Sequence, residues 1–486
     1  MLAALIKKEI VTTILDLRFV IASLLFLVLI PLGMYVSRKD YEQRLANYNE
    51  EHQMYRQKYG KEVSSEVEVH GFRPPSMLSV FASGIDQCIP DKVITSRSGV
   101  FRMTKDVRAD DSLAMLLGRM DFFFNMCFVS SLVALAFTFN SISGEKQAGT
   151  LGLMLSYSIS RSHILLSKVI GTYVSLLIPL AMSLLITSII LELSQDISIL
   201  LPEFYPSFLI ILGVSLLYIL TMVVLGVLIS GTTQKPIISM IVSLFVWVII
   251  VLALPKISPM LARIIYPVEA EQVVNLRKHI ALDDLQETHR KKSAEIHDKY
   301  QHILEKSLIT YFAVKGHFKN SAIPPDLASV VPLDDELTAL TKETQAQINN
   351  VIGQIVQDHR NKMNIQNTIA MYISRISPAC CYSYLISGLS NTGPRDYDKF
   401  RENAQTFQDE VKKVVYDNYE RRIWKSGSQT TTLDDPPDSV PDMQYRYSSL
   451  TEILEAGLVD LILSICFAFL FFTLAFVTFN RYDVRP

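Results

Sequence analysis

Little in this chain points to chemistry of its own. No GxxxxGK[ST] stretch is present, so nothing in the sequence is built to cradle the phosphates of ATP. None of the nine histidines is followed by Glu, which removes an HExxH zinc site, and no GxSxG nucleophile turn occurs. His289, His297 and His302 fall in a charged helical stretch, where a solvent-facing imidazole is the ordinary state. The five cysteines (88, 127, 380, 381 and 466) form no CxxC pair and no disulfide framework. Cys127 and Cys466 sit in apolar runs, and the one pairing left open is Cys88 with Cys380 or Cys381. The methionines are scattered, without the Met/His cluster of a copper conduit. An excess of charge of either sign is also lacking: 46 basic against 48 acidic residues leave a net charge of -2, and no basic stripe offers itself to nucleic acid. No repeat of fixed period is visible, and no small-residue cleavage site follows the first apolar run, which is therefore read as a retained membrane segment. The chain is expected to be non-catalytic, with no cofactor or metal of its own.

What is present is apolar sequence: 49% of residues, gathered into a few runs. A helix needs about 20 apolar residues to cross the hydrocarbon core. Six runs qualify: Phe19–Val36, Asp121–Asn140, Ile164–Leu191, Pro206–Ile229, Pro236–Leu254 and Leu458–Phe479. Pro179 interrupts the third, and Asn125 inside the second is read as an interhelical hydrogen-bonding group. Short loops set the orientation. The Glu192–Tyr205 loop has no Lys or Arg, whereas Lys146, Arg161 and Lys168 mark the loop after the second run and Lys235 the turn after the fourth. Lys7 and Lys8 at one terminus and Arg481 and Arg485 at the other belong with these, so both termini are expected in the cytoplasm. Arg38, Lys39 and Lys256 argue the other way but flank long segments, which translocate largely regardless of charge.

The expected fold is membrane α-helical: six transmembrane helices with a large, mainly helical extracytoplasmic domain. Its parts are a cytoplasmic amphipathic helix (1–17), helix one (18–36), a first extracytoplasmic segment (37–120), helices two to five (121–254) with a loop at 141–163, a large extracytoplasmic helical domain (255–456), helix six (457–480) and a cytoplasmic tail (481–486). The first outer segment opens with a charged helical stretch, Tyr41–Tyr59, then turns at Gly71-Phe-Arg-Pro-Pro75 into alternating patches such as Val67–His70 and Val93–Val100. In the second, Leu276–Leu304 and Leu333–Val356, separated by Pro324-Pro325, read as a helical hairpin with a narrow apolar stripe. A helix from Pro394 to Trp424 and a Ser/Thr/Asp/Pro-rich loop, Ser426–Pro441, follow. Ile369–Leu389 is apolar enough to tempt a seventh span, but Arg375 and Pro378 near its middle make it an interfacial or core segment.

The polar loop after the second span reads Ser143-Gly-Glu-Lys-Gln-Ala-Gly-Thr-Leu151 and continues through Ser160-Arg161 to Lys168. Gly149 lets the chain turn, and Thr150 is a candidate N-cap for a short helix, Leu151–Tyr157. That helix is expected to present Leu151, Leu153, Met154 and Leu155 as an apolar surface, bracketed by Glu145 and Arg161. On periodicity alone the loop is a simple connector.

The pattern Glu145, Lys146, Gly149-Thr150-Leu151, an apolar turn, Ser160-Arg161 and Lys168 resembles the coupling loop of ABC-2-type transporter permeases. Ser158-Ile159 departs from it, where that family often has proline before the Ser-Arg. Leu5–Leu17 is similar to the family's elbow helix, with Ile6, Ile10, Ile14 and Leu17 on one side and Lys8, Glu9 and Asp16 on the other. Pro74–Gly84 and Ser374–Ala379 resemble segments of a subgroup with enlarged outer domains, to which permeases linked to multi-copper enzyme maturation belong. The resemblance implies the membrane subunit of an ATP-driven exporter in a bacterial inner membrane. Two copies of an ABC ATPase would carry ATP and Mg and dock on Glu145, Lys146, Gly149, Thr150, Leu151, Leu153, Met154, Leu155, Ser160 and Arg161. A second copy or a related permease, membrane lipid and a periplasmic partner for the outer domain complete the expected assembly. The rival reading is a non-transporting receptor or scaffold, which has no need of the Gly-Thr-Leu loop. A membrane-embedded enzyme is weaker, because no cluster of ionisable groups is visible within the spans.

Overall fold

The computed structural model describes residues 2–59, 68–95, 101–105, 120–156, 160–192, 205–300, 330–426 and 441–481. Tyr157, Ser158-Ile159, the interior of the Glu192–Tyr205 loop, His302 and Leu304, Pro324-Pro325, most of Ser426–Pro441 and the last five residues lie outside them.

Among the described residues six helices are long and apolar enough to cross a membrane, so the fold is that of a membrane helical protein. They are span one (Leu17–Tyr59), span two (Phe122–Gln147), span three (Arg161–Glu192), span four (Tyr205–Thr232), span five (Pro236–Ile265) and span six (Leu450–Asn480). Their starts follow from the local sequence. Pro236 occupies the first turn of span five, where its missing N–H costs nothing. Ser449 and Glu452 form a reciprocal capping box at the start of span six. Span one's 43 residues make a rod of about 65 Å, twice the hydrocarbon thickness, so the charged Tyr41–Tyr59 stretch is its continuation and not a separate helix. Arg38 on that rod donates to the carbonyl of Ile190 at 2.7 Å and so caps the end of span three.

Span five also runs further than its apolar run. Residues 248–253 form a π-turn, in which the amide of Leu254 reaches back to Ile249. Continuing that pattern would pair the Ile250 carbonyl with residue 255, which is proline and has no N–H. The orphaned carbonyl is taken by the Ser377 hydroxyl at 2.7 Å. Span two carries a second π-turn, Asn125–Ser130, whose Cys127 carbonyl accepts from the Tyr218 hydroxyl at 3.0 Å. Asn125 donates to Leu29 of span one at 3.3 Å, the interhelical bond expected of it.

The Ile369–Leu389 stretch is a core segment. It breaks at a turn, and Pro378–Leu389 forms a 12-residue helix, about 18 Å long and too short to cross. Ser377 caps it, Tyr382 stacks on Tyr218 of span four at 4.5 Å, and Tyr382 shares a 3.0 Å hydrogen bond with Ser215. Arg375, in the turn, grips Asp460 of span six through two bonds of 2.7 and 2.9 Å. An ionised pair therefore lies buried against a span, which the sequence reading missed. Cys380 and Cys381 are buried here, Cys88 is exposed, and all five thiols are free, so the open pairing is not made.

The described residues between span one and span two are not helical throughout. Val69–Phe72 (β1), Lys92–Thr95 (β2) and Phe101–Thr104 (β3) form an antiparallel sheet in the order β1-β2-β3. The alternating patches Val67–His70 and Val93–Val100 overlap β1 and β2, while Val67 and residues 96–100 lie outside the described residues. Val69, Val93 and Ile89 pack on Phe400, Phe407 and Val411 of the helix Pro394–Ser426. Asp86 ties the sheet to span one's extension, accepting from Arg73 at 2.7 Å and Arg44 at 2.8 Å. Burial alone raises its pKa, but Arg73, Arg44 and Lys105 outweigh it and hold the carboxyl below the usual range. The Pro74–Gly84 stretch and the end of the core helix brace one another: Ser76 donates to Ser390 and Thr392 to Ala82, both at 2.9 Å.

By contact density the chain divides into two units, Met1–Lys256 with Ser374–Asp417 and Pro436–Pro486, and Ile257–Ile373 with Asn418–Asp435. The second contains the expected hairpin. Helices Glu271–Lys299 and Val331–Ser374 run antiparallel, joined by His289–Thr344 at 3.1 Å and Lys299–Glu336 at 2.6 Å. Among the described residues its apolar seam is chiefly Ile296, Tyr300, Val330 and Leu333.

Candidate functional site

The loop after span two is held by its neighbours at nearly every charged residue. Span two pauses at residues 139–142, and helix Ser143–Gln147 follows. The opening amides of Ile142 and Ser143 have no partner within their own helix. Both donate to the Ser230 hydroxyl of span four at 3.0 Å, and Ser230 in turn donates to Phe139 at 2.8 Å. Ser230 is a contact the sequence reading missed, since nothing distinguishes it within an apolar run.

The basic residues of the loop act at helix C-termini, where unpaired carbonyls and the helix dipole favour a cation. Lys146 donates to the carbonyls of Gly231 and Thr233, at the end of span four. Arg161 donates to Asn480 at 2.6 Å and Phe479 at 3.4 Å, at the end of span six. Glu145 pairs with Lys168 of span three at 2.8 Å, and Lys168 also reaches Glu9 at 3.3 Å. Lys168 is 1% exposed, with Glu9 and Glu145 half-buried beside it, so this is not an open surface pair. Glu145 and Arg161 therefore do not bracket an open surface; each is committed to the bundle.

Glu9 belongs to the N-terminal helix, Leu2–Ile14. The sequence placed it on the outer polar side, with Lys8 and Asp16. In the fold it faces span three, because Gly171 there has no side chain: a Cβ on Gly171 would lie 2.5 Å from that of Glu9. This close approach brings the Glu9 carboxylate to Lys168. Leu5 and Ile6 are half-buried beside it, so two kinds of contact seat the helix.

Gly149 has φ +72°, a left-handed turn that favours glycine, and nothing crowds its α-carbon. The loop helix begins one residue earlier than expected, Thr150–Ser156, with Thr150 inside it. The Thr150 hydroxyl is 3.4 Å from the Glu145 carbonyl and donates there, so it does not cap the helix. Leu151 is also misplaced by the sequence reading. It is 1% exposed and belongs to the main apolar core, while Met154 and Leu155 are half-buried against the same core. Leu153 stands out at 66% exposed, the single large apolar side chain exposed on this helix. Ser160 is exposed, beside Ser162 and His163 at the start of span three.

Between the N-terminal helix and the loop lies a cleft of about 630 Å³. Glu9, Asp16, Arg18, Glu145 and Lys168 give it charge, and Gln147, Ala148 and Thr150 form its loop side. Among the described residues no group of three or more His, Cys, Asp or Glu is placed to hold a metal.

A family model described as ABC-2 family transporter protein matches residues 3–484, nearly the whole chain. No curated protein matches it.

Proposed function

The chain belongs to the ABC-2 family of transporter proteins and is a transmembrane transporter subunit, and from that premise we propose that its Thr150–Ser156 helix is where a separate ATPase drives it. One observation carries the reading: the loop is fastened to the N-terminal helix, span three and span four at once, by Glu145, Lys146 and Ser230, and Arg161 at the start of span three ties that span to span six. A load on Leu153 is thereby shared among four elements, as a rigid-body change requires. The positive-inside charges support a cytoplasmic face for this loop and for both termini, with 37–120 and 255–456 outside. In the complex so proposed, two ATPase copies bind ATP and Mg, a second copy of this chain or a related permease completes the membrane unit, and the direction is export from a bacterial inner membrane. Glu145, Lys146, Leu151 and Arg161 hold the loop, while Gly149, Thr150, Leu153 and Ser160, with the edges of Met154 and Leu155, form its docking face.

The test is association and ATP turnover with the co-expressed ATPase subunit. Leu153→Asp is expected to abolish both while the protein stays monodisperse with an unchanged melting temperature, since Leu153 contributes nothing to the core. Undiminished binding and turnover by Leu153→Asp would remove the coupling assignment and favour the scaffold reading.

A further inference from the structure

Residues 390–393 join the core helix Pro378–Leu389 to the helix Pro394–Ser426, and the Pro74–Gly84 stretch closes on this joint. Beyond the bonds of Ser76 and Thr392, the Ile85 amide donates to the Thr392 carbonyl at 2.9 Å. The fit is close, since a Cβ on Gly84, at φ +46°, would lie 2.4 Å from that same carbonyl oxygen. Asn391 holds the left-handed turn at φ +56°, which Asn tolerates better than most residues. Yet Ser390 Oγ, Asn391 Oδ1 and Arg73 Nη1 are all buried without a hydrogen-bond partner. Such atoms are uncommon in folded proteins, and three of them mark a seam held with little to spare.

Asp396 fastens the other side of the joint. Its Oδ2 accepts from the Gly393 amide at 2.8 Å, and its own amide donates to the Gly393 carbonyl at 3.0 Å. Arg73, Asp86 and Tyr445 act on the carboxyl from the neighbouring elements. Arg73 is committed to Asp86 at 2.7 Å and to the Pro90 carbonyl at 3.2 Å, and Arg44 and Lys105 also serve Asp86. Burial therefore outweighs the pull of Arg73 and pushes the Asp396 carboxyl up to about 6. The neutral acid suits this place, and its anion does not.

We propose that the Ser390–Asp396 joint is a proton-operated clasp: protonated Asp396 holds the core helix to the Pro74–Gly84 stretch, and loss of that proton to the surrounding water lets the joint open. The pH of the solution on that side then sets how firmly the β1-β2-β3 segment grips the bundle. The clasp is independent of whether the loop after span two docks an ATPase.

The experiment follows amide hydrogen exchange of the full-length chain in phosphatidylcholine nanodiscs from pH 5 to 7.5, each rate divided by that of the unfolded chain at the same pH. Opening at residues 76–88 and 388–396 is expected to rise about tenfold over this range, because the carboxyl ionises more readily in the open joint. The helix Val331–Ser374 is the internal control and is expected to show no rise. Asp396→Asn, permanently uncharged, keeps the joint closed and flattens the dependence. A wild type without the rise would overturn the proposal, as would a rise shared by Val331–Ser374, which marks general loosening. A rise that persists in folded Asp396→Asn assigns the proton to another group, such as His70, and equally overturns it. Should Asp396→Asn not fold, the wild-type contrast between the two regions carries the test.

Discussion

Replacing Arg375 by Met tests whether the buried pair with Asp460 holds the core helix Pro378–Leu389 in the bundle. The Arg375 and Asp460 side chains are 10% and 4% exposed, and two short charge-assisted bonds join them. Removing the guanidinium leaves a buried carboxylate without compensation, a loss of about 3–5 kcal/mol. Against a typical stability of about 5–15 kcal/mol that is a large fraction. Replacing both partners, Arg375→Met with Asp460→Leu, removes charge and desolvation together and is expected to return stability to within about 1 kcal/mol of the wild type. Cysteine reactivity reads the local structure. Cys380 and Cys381 are buried in the helix, and the Cys381 thiol lies 3.5 Å from the Arg375 carbonyl. In a background with the exposed Cys88 and Cys466 changed to Ser, alkylation of the buried thiols is followed against denaturant. Arg375→Met should react early and the double variant late. The reasoning is refuted if the single variant loses less than about 1 kcal/mol, or if the double variant is worse than the single one.

Leu151→Ala empties a fully buried position and is expected to cost about 2–5 kcal/mol in thermal or denaturant unfolding, whereas Leu153→Ala costs under about 0.5 kcal/mol. Gly149→Ala forces a side chain into φ +72° and is expected to lose about 1 kcal/mol, seen as a lower melting temperature. Asp396 is buried, and burial pushes its carboxyl up to about 6 despite the 2.8 Å bond from Gly393. A carboxyl raised on folding stabilises the protein below its unfolded value and loses that contribution as pH rises from about 4 through 6, here about 3 kcal/mol. Asp396→Asn should lack that step in a pH series of unfolding free energies. Asp86, held low by Arg73, Arg44 and Lys105, acts in the opposite sense, and its contribution is lost as pH falls.

The spans were legible because each is an unbroken apolar run, and a bilayer leaves a helix as the only way to satisfy its backbone. The loop's turn at Gly149 was legible for a similar local reason. The loop's chemistry was not. Glu145, Lys146 and Arg161 look like a charged docking patch in one dimension, yet each side chain is used up on a carbonyl or counter-ion supplied from 23 to more than 300 residues away. Leu151 and Leu153 are equally apolar in the sequence, and only packing separates the anchor from the exposed group. Ser230 and Ser377 gave no signal, because a hydroxyl in an apolar run reveals nothing about which orphaned backbone group it will meet.

Composition and periodicity alone determined that this is a six-span membrane protein without a phosphate-binding loop, with its short-loop cations on one side. Those properties depend on local hydrophobicity and charge, which each segment carries with it. Tertiary structure decided which groups are spent and which are free: Leu153 over Leu151, the pairing of Lys168 with Glu9 and Glu145, and the ion pair of Arg375 with Asp460. Each depends on the proximity of segments distant in the chain, and burial turns that proximity into energy.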